Sequence, residues 1–524
     1  MTLDLHSLGA TAPSPTESLD LLVIGAGAAG ARAAIEGAKA GLKVVLIDEH
    51  PLDPGLIGLD VPYAFGQRAT AAVQNRQKMI GQIVGHSPLI AEAFEQNVEV
   101  RLGTTAWGLF PPSPEARMID GLQVGLEDGE RAWIARCGHV ILATGARDIM
   151  LGFEGCDQPG VMGSRGLHAL LHQYEAADVR RLLILGSDSL ACRTALDARE
   201  HGIEVVGLVE PGARPLAGPD DLAALSAAGV DILTRTVIVS AGSGPEGVDG
   251  AILVSLDDAG ASLPDSRRRV DCDTICAAIL QTPSVELLAA AGGQLCFDSA
   301  RGVWRPQMEG TLTSIAGVQA VGACTGAEDD NQDAATAAAG LAAACGDRAT
   351  APEALSPAAE ATAPVLAGWM EALIRSGGLD VVVCRCETVT RADILGVSPP
   401  AYLGPRQGRT CTRDLDSLLR DGPPDPDQIK RLTRAGMGEC QGRRCREQTA
   451  CLLARAAGIP PEEVPPATWR APVRPLPLAL ISAAQEPEAM QRGWDSWFGI
   501  PTQFLPWWED DPGGERRDGT GWHL

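Results

Sequence analysis

Short apolar runs closed by glycine set the rhythm of the chain. "LDLLVIG" at 19–25 is followed by the Ala-rich stretch "AGARAAIEGAKAG" at 29–41 and a second run, "KVVLIDE", at 43–49. Unbroken apolar runs of this length read as strands buried on both faces, and an Ala-rich segment with a glycine stop reads as a helix. Residues 19–48 therefore predict a βαβ unit. The same layout returns in "RRLLILGSDSLACRTALDAREHGIEVVGLVE" at 180–210. Two more strands end in glycine turns, "HVILATG" at 139–145 and "GVQAVGACTG" at 317–326, the second followed by an Ala-rich helix at 334–345. Strands alternating with helices build parallel sheets, here two, so the expected fold class is α/β.

Composition divides the chain further. Residues 1–18 read as a flexible N-terminus, without the basic start and long apolar stretch of a signal peptide. Residues 19–150 and 310–345 form a first dinucleotide-type domain, and 151–309 a second. The Ala/Pro/Glu-rich stretch 346–379 reads as a linker. Residues 380–460 hold six of the fourteen cysteines and read as a small separate unit. The last segment, 461–524, is rich in Pro and Trp, with six of the ten tryptophans at 469 or later. So apolar a tail should dock, on this chain's own body or on another subunit. With 67 acidic against 43 basic residues the net charge is −24, which argues against nucleic acid or an anionic membrane surface as partner. No apolar run reaches bilayer length, so no transmembrane segment is expected. Many cysteines without an export signal point to a reducing, cytoplasmic compartment.

In "GAGAAG", Gly25, Gly27 and Gly30 stand at G-x-G-x-x-G positions, with Ala28 and Ala29 between the last two. The first glycine permits a tight turn, the second lets a pyrophosphate approach the backbone, and the third lets helix and strand pack closely. The pattern follows a strand, opens a helix, and is followed 18 residues after Gly30 by Asp48 at the end of the next strand. A carboxylate there accepts hydrogen bonds from a ribose diol. Glu49 is a second candidate for that role, Asp48 the favoured one. In the second βαβ unit, "GSDSLA" at 186–191 keeps only the first glycine; Asp188 replaces the second. Its side chain and negative charge oppose a phosphate, so this layer reads as degenerate.

The cysteine unit carries C-x-C at Cys384 and Cys386 and C-x4-C at Cys440 and Cys445. Four thiolates from two short loops suit a [2Fe–2S] cluster or a structural zinc. The adjacent C-x-C fits poorly with the usual zinc knuckles. Arg385, Arg443, Arg444 and Arg446 flank the thiols and would offset the negative charge of a cluster. Cys445 opens the predicted helix "REQTACLLARAA", whose free N–H groups can bond to sulfur.

The order of these pieces over residues 19–345 resembles the two-dinucleotide-domain flavoproteins of the glutathione reductase superfamily. That resemblance places Thr144 and Gly145 near the adenosine half of a cofactor, and Gly322 and Ala323 near a flavin's ribityl-phosphate region. It implies FAD, yet the family's usual Gly-Asp is here Gly322-Ala323, and its Gly-Gly-Gln run corresponds to Gly55-Leu56-Ile57. NAD or an adenine nucleotide in the same site stays open. "CRCETVTRADI" and "RLTRAGMGECQGRRC" resemble the bacterioferritin-associated-ferredoxin-like [2Fe–2S] domain, with an inserted stretch at 398–416 that brings Cys411. Together with "GCDQPGVMGSRGLHALL" and "RAPVRPLPL", the whole order resembles the α (A) subunits of heteromeric FAD-dependent amino-acid and opine dehydrogenases, a group that takes in opine oxidase, dye-linked proline and hydroxyproline dehydrogenase, and hydrogen cyanide synthase.

The resemblance implies two glutathione-reductase-like domains plus a small helical [2Fe–2S] domain. It implies a D-amino-acid-oxidase-like flavoprotein β subunit that oxidises the substrate, and it allows for FMN at the partner interface and a small third subunit. Electrons would leave to an external acceptor. The residues agree with that division of labour. The sequence has no G-x-S-x-G elbow, H-E-x-x-H or redox C-x-x-C motif, so no catalytic set is expected. His168 and His172 are four apart on a predicted helix and, with no third ligand near in sequence, read as ordinary surface or core residues. The acidic run "EDDNQD" at 328–333 reads as a solvated loop or a partner contact.

Overall fold

The computed structural model describes residues 15–51, 68–113, 119–299, 301–326, 365–403 and 413–482. Gly55-Leu56-Ile57, the 328–333 acidic run, the 334–345 helix, Cys411 and the tryptophans beyond 482 lie outside them. The chain opens with strand β1 (Glu17–Ile24), helix α1 (Ala28–Lys39) and strand β2 (Val44–Asp48). Next come β3 (Glu99–Leu102), β4 (Thr105–Phe110), β5 (Leu122–Glu127) and the long β6 (Ala132–Leu142). β1 lies between β2 and β6 in parallel register, Leu21 opposite Val44 and His139. Leu21, Leu22 and Val23 are fully buried, as an apolar strand covered on both faces requires.

A crossover pair, β7 (Ala146–Asp148) and later β16 (Gln281–Pro283), runs antiparallel between the two layers. The second layer starts with β8 (Val161–Gly163) and α2 (Ser164–His168), which continues as a π turn over Ala169–Gln173. β9 (Arg181–Leu185), α3 (Ser189–Glu200), β10 (Glu204–Val209) and β11 (Ile232–Leu233) follow. A three-stranded antiparallel sheet is made by β12 (Thr236–Gly244), β13 (Gly247–Ser255) and β14 (Arg268–Val270), after which the chain returns as β15 (Thr274–Ala277). The parallel order is β11-β10-β9-β15-β8. The chain then passes helix α4 (Glu286–Ala290) and adds β17 (Val318–Ala320) beside β6, completing the first sheet.

The C-terminal third begins with helix α5 (Val365–Gly377), inside the stretch that composition assigns to a linker. Its apolar residues Leu366, Trp369, Met370, Leu373 and Ile374 recur at helical spacing and are all buried. Strands β18 (Val382–Cys384) and β19 (Val389–Thr390) form a hairpin, followed by α6 (Arg391–Leu395), α7 (Pro426–Thr433) and α8 (Arg446–Ala457). The described residues of these elements share a core with the second layer. Trp369, Val383, Leu452 and Leu453 share one buried cluster with Leu183, Val237 and Leu253 of the second layer. Among the described residues, no helix is long and apolar enough to cross a membrane.

Candidate cofactor and metal site

The first glycine loop is shaped by backbone contacts. Gly25 has φ +111°, and a Cβ there would stand 2.1 Å from the Ala143 carbonyl oxygen. A Cβ on Gly30 would stand 1.8 Å from the Gly25 carbonyl oxygen, so only glycine lets α1 lie this close to β1. Gly27 differs: nothing lies within 4 Å of its Cβ position, and it caps α1 with no side chain on the helix's free N–H groups. That combination is a cradle for an anion, with close access and an uncapped helix N-terminus. Asp48 sits beside it, accepting from the N–H groups of Ala26 (2.6 Å) and His50 (2.8 Å). Burial opposes its charge, but these bonds and His50 hold its pKa below the usual carboxylate value. Glu49 is engaged elsewhere, 2.8 Å from Arg474. Thr144 donates to the Ser284 carbonyl at 2.7 Å, and Gly145 and Gly322 both have positive φ. Ala323 offers no side-chain acceptor, so the residues present fit an adenine dinucleotide's pyrophosphate and ribose better than they fit a ribityl chain.

The second loop is built differently. Asp188 is the N-cap of α3, its carboxylate accepting from the Ala191 N–H at 3.0 Å. The place a phosphate would take at this helix start is filled by the protein's own anion. Glu210, at the end of β10, is buried and accepts from Ser187 Oγ (2.6 Å) and the Gly212 N–H (2.7 Å). Burial raises its pKa despite those bonds.

The four cysteines of the C-x-C and C-x4-C loops come together in two pairs. Cys384 shares a hydrogen bond with Cys445, and Cys386 with Cys440. In each pair the shared hydrogen bond favours the thiolate of one partner, Cys384 or Cys440. The bond from Cys386, helped by the Arg444 N–H and the charges of Arg443 and Arg444, pushes Cys440 down to about 5 against its burial. The bond from Cys445, with the N–H groups of Gly436 and Glu387, lowers Cys384. Four sulfurs brought together from two loops are the donor number that a single zinc or a binuclear iron–sulfur centre takes, the latter with two thiolates on each metal.

Gly438 sets the approach of the two loops, since a Cβ there would fall 2.2 Å from Cys386 Cβ. Cys445 stands at the N-cap of α8, as its sequence position suggests. Arg443, Arg444 and Arg446 act on the thiols, and Arg385 donates to the Cys156 carbonyl.

A family model for pyridine nucleotide-disulphide oxidoreductases matches residues 19–353, and one for the sarcosine oxidase A3 domain matches 407–485. The chain belongs to the pyridine nucleotide-disulphide oxidoreductase family. It is 26% identical over 484 residues to the alpha chain of sarcosine oxidase from Rhizobium meliloti (strain 1021), covering 89% of this chain and 42% of that protein. The chain thus spans less than half of that relative. It is 25% identical over 491 residues to an opine oxidase subunit from Agrobacterium tumefaciens (strain Ach5), covering 88% of this chain and 91% of that one. In fold it is similar to L-proline dehydrogenase from P. horikoshii, with TM-score 0.57 at 21% identity over 89% of this chain and 80% of that one.

In this oxidoreductase the cysteine loops are fastened to the dinucleotide body by groups that sequence reading missed. Arg147, on β7, donates to the Arg443 carbonyl (2.7 Å) and pairs with Glu447 (2.6 Å) and Glu286 (3.0 Å). Arg391 is fully buried and donates to the carbonyls of Gly378 (2.8 Å) and Gly152. Gln448 closes the joint, accepting from the Gly152 N–H at 3.0 Å and donating to the Met150 carbonyl. The described part of the C-terminal segment docks on this same chain: Arg446 stacks over Trp469 at 4.0 Å, and the Val473 N–H bonds the Trp107 carbonyl at 2.8 Å. Between that segment and the cysteine loop opens a cavity of about 290 Å³ whose lining includes Lys430, Arg431, Gln441, Arg446, Trp469 and Arg470.

Proposed function

We propose that this oxidoreductase is the electron-transferring α subunit of a heteromeric flavin-dependent dehydrogenase or oxidase acting on CH–NH bonds of amino acids, imino acids or opines. The observation that carries the reading is the two thiol pairs assembled from separate loops and fixed against a dinucleotide body. Cys384, Cys386, Cys440 and Cys445 would hold a [2Fe–2S] cluster, which, when bound, supplies one-electron transfer beside two-electron flavin chemistry. Gly25, Gly27, Gly30 and Asp48 would hold the adenosine and pyrophosphate of FAD, or of NAD. The similarity to subunits of sarcosine and opine oxidase over nine-tenths of this chain supports assembly with a partner subunit, to which we assign oxidation of the substrate. The cationic cavity beside Gln441 is where a phosphate-bearing flavin at the partner interface would be received.

A scaffold reading, with nucleotide and cluster purely structural, gains from Ala323 and from the capped loop at Asp188. A stand-alone NADH-dependent reductase would need a working second loop, and Asp188 fills it. The test is to purify the chain with the products of neighbouring genes and measure flavin, nicotinamide and iron released, the visible spectrum, and dye reduction with imino acids and opines. Iron at two per chain, bleached by substrate only in the complex, is expected. Turnover by the isolated chain would defeat the division of labour. A cluster that substrate never reduces in the complex would favour the scaffold.

A further inference from the structure

His168 and His172 gain the third ligand that their sequence neighbourhood lacks. Asp197, on α3, places its carboxylate between them: His172 Nε2 is 2.8 Å from Oδ1, and His168 Nδ1 is 3.7 Å from Oδ2. One ligand atom from each of the three lies within 4.8 Å of the other two. A third imidazole adjoins them. His201, just past the end of α3, has Nδ1 2.9 Å from the Asp197 carbonyl, which leaves Nε2 as its outer nitrogen, and its ring meets that of His172 edge-on at 4.9 Å. The rings of His168 and His172 lie 4.4 Å apart. Backbone geometry sets this spacing: His172 sits in the π turn closed by the Tyr174 N–H on the Ala169 carbonyl at 2.9 Å. Such widened turns are rare in proteins and concentrate at functional sites.

From this cluster we infer a binding site for a divalent transition-metal cation of the zinc class, made by His168, His172 and Asp197, with His201 packed beside it. Two imidazoles and a carboxylate are the donor set that Zn²⁺, Ni²⁺ and Cu²⁺ accept, with water completing the shell. Bonds of about 2.1 Å need the donors to close to roughly 3.4 Å of each other. The His168 and His172 side chains, 62% and 40% exposed, have room to do so. Arg165, one turn away, works against a cation, and Asp197 offsets it. The ion would tie the segment after β8 to the far end of α3. It would thereby stabilise the layer whose nucleotide loop Asp188 has closed.

The test uses the full chain with its cysteines loaded with iron. Zn²⁺ titration calorimetry should give wild type one equivalent more than His172→Ala or Asp197→Asn, and a thermal midpoint that rises with Zn²⁺ only in wild type. Co²⁺ should give ligand-field bands without thiolate charge transfer, which separates this site from the cysteines. His168→Ala, at a mostly exposed position, guards against misfolding of the other variants and should weaken binding at least tenfold. Equal Zn²⁺ stoichiometry and affinity in wild type and all three variants would overturn the assignment, as would thiolate charge transfer as the only Co²⁺ signal.

Discussion

Alanine at Gly27 and, separately, at Gly30 separates the nucleotide-binding role of the first loop from its packing role. At Gly30 the new methyl would begin 1.8 Å from the Gly25 carbonyl oxygen and 3.0 Å from Ala143 Cβ. Both neighbours are backbone or backbone-anchored, so α1 must shift away from β1 by roughly an ångström or more. Overpacking of that kind costs about 1–3 kcal/mol, or several degrees in thermal midpoint for a domain of this size. At Gly27 the backbone is at φ −66°, ψ 180°, which alanine adopts without strain, and the methyl meets nothing. The stability cost there is only the poorer N-cap, about 1 kcal/mol or less.

The methyl of Gly27→Ala, however, stands where a pyrophosphate must come to reach the N–H groups of α1. A charge-assisted hydrogen bond contributes about 1.5–3 kcal/mol, so losing one weakens binding about tenfold to a hundredfold. Unfolding is followed on nucleotide-stripped protein, so that ligand does not mask stability, and FAD and NAD affinities are taken from fluorescence titration. Gly30→Ala should lower the midpoint and lose nucleotide; Gly27→Ala should lower it less than Gly30→Ala does and still lose nucleotide. If Gly27→Ala binds both nucleotides as wild type does, the cradle reasoning is wrong. If it unfolds as early as Gly30→Ala, the assignment of separate roles is wrong.

If the four cysteines hold the proposed cluster, Gly438→Ala should lose most of the iron, measured by colorimetric assay, because the added carbon would sit 2.2 Å from Cys386 Cβ and push the two cysteine loops apart. Asp188→Ala should lower stability by about 1 kcal/mol, through loss of the cap on α3, and leave bound cofactor unchanged in a released-cofactor assay. Arg147→Met should destabilise by about 3–5 kcal/mol in chemical denaturation, since it strands Glu286 and Glu447 in a buried joint, and adding Glu286→Gln should recover part of the loss. Burial opposes the charge of Glu286, but Arg147, Arg474 and Arg443 outweigh it and hold its pKa below the ordinary value. A depressed native pKa stabilises fully above the unfolded value of about 4.3 and is lost as pH falls through the native one. Glu286→Gln should therefore flatten the acid side of the stability–pH profile and lose most relative to wild type at neutral pH.

What could be read from the sequence was local. The first loop needed only a strand, three spaced glycines and Asp48, all within 30 residues, and the four cysteines that the structure brings together in pairs stood out by their tight spacing. Asp188 was legible for the same reason, as one residue in a known pattern; that it caps α3 is the structural form of the charge conflict. The helix at 365–377 was legible but masked, because the Ala/Pro/Glu average over 346–379 hid a clean 3.6-residue apolar period. Long-range partners were not legible. Asp197 reaches His172 only because α3 packs beside the segment after β8, and no spacing rule links positions 25 residues apart on different elements. Arg385 stands between Cys384 and Cys386, but that its guanidinium also bonds the distant Cys156 carbonyl could not be read from its neighbours. Glu49 looked as able as Asp48 to meet a ribose until Arg474, 425 residues on, took it.

The joint between the cysteine loops and the body bears on how electrons could move. A shuttling domain needs a modest, polar interface that lets go, which is the ordinary condition between domains of one chain. Here Trp369, Leu452 and Leu453 are buried together with strands of the second layer, so separation would expose a shared core. Arg391, Arg147 and Gln448 add buried polar bonds on backbone carbonyls of both sides. Removing such groups from water costs free energy that only fixed geometry recovers, and a sliding contact would forfeit it. Cys440 and Cys445 bracket the loop whose Arg443 carbonyl Arg147 holds, so these two thiols are tied to β7 through that side chain. β7 follows directly from the Thr144-Gly145 turn of the first site. The thiol pairs and the dinucleotide cradle are therefore held on elements that share buried packing and backbone bonds. Under the proposed function, any motion that completes an electron path would belong to a docking partner and not to these loops.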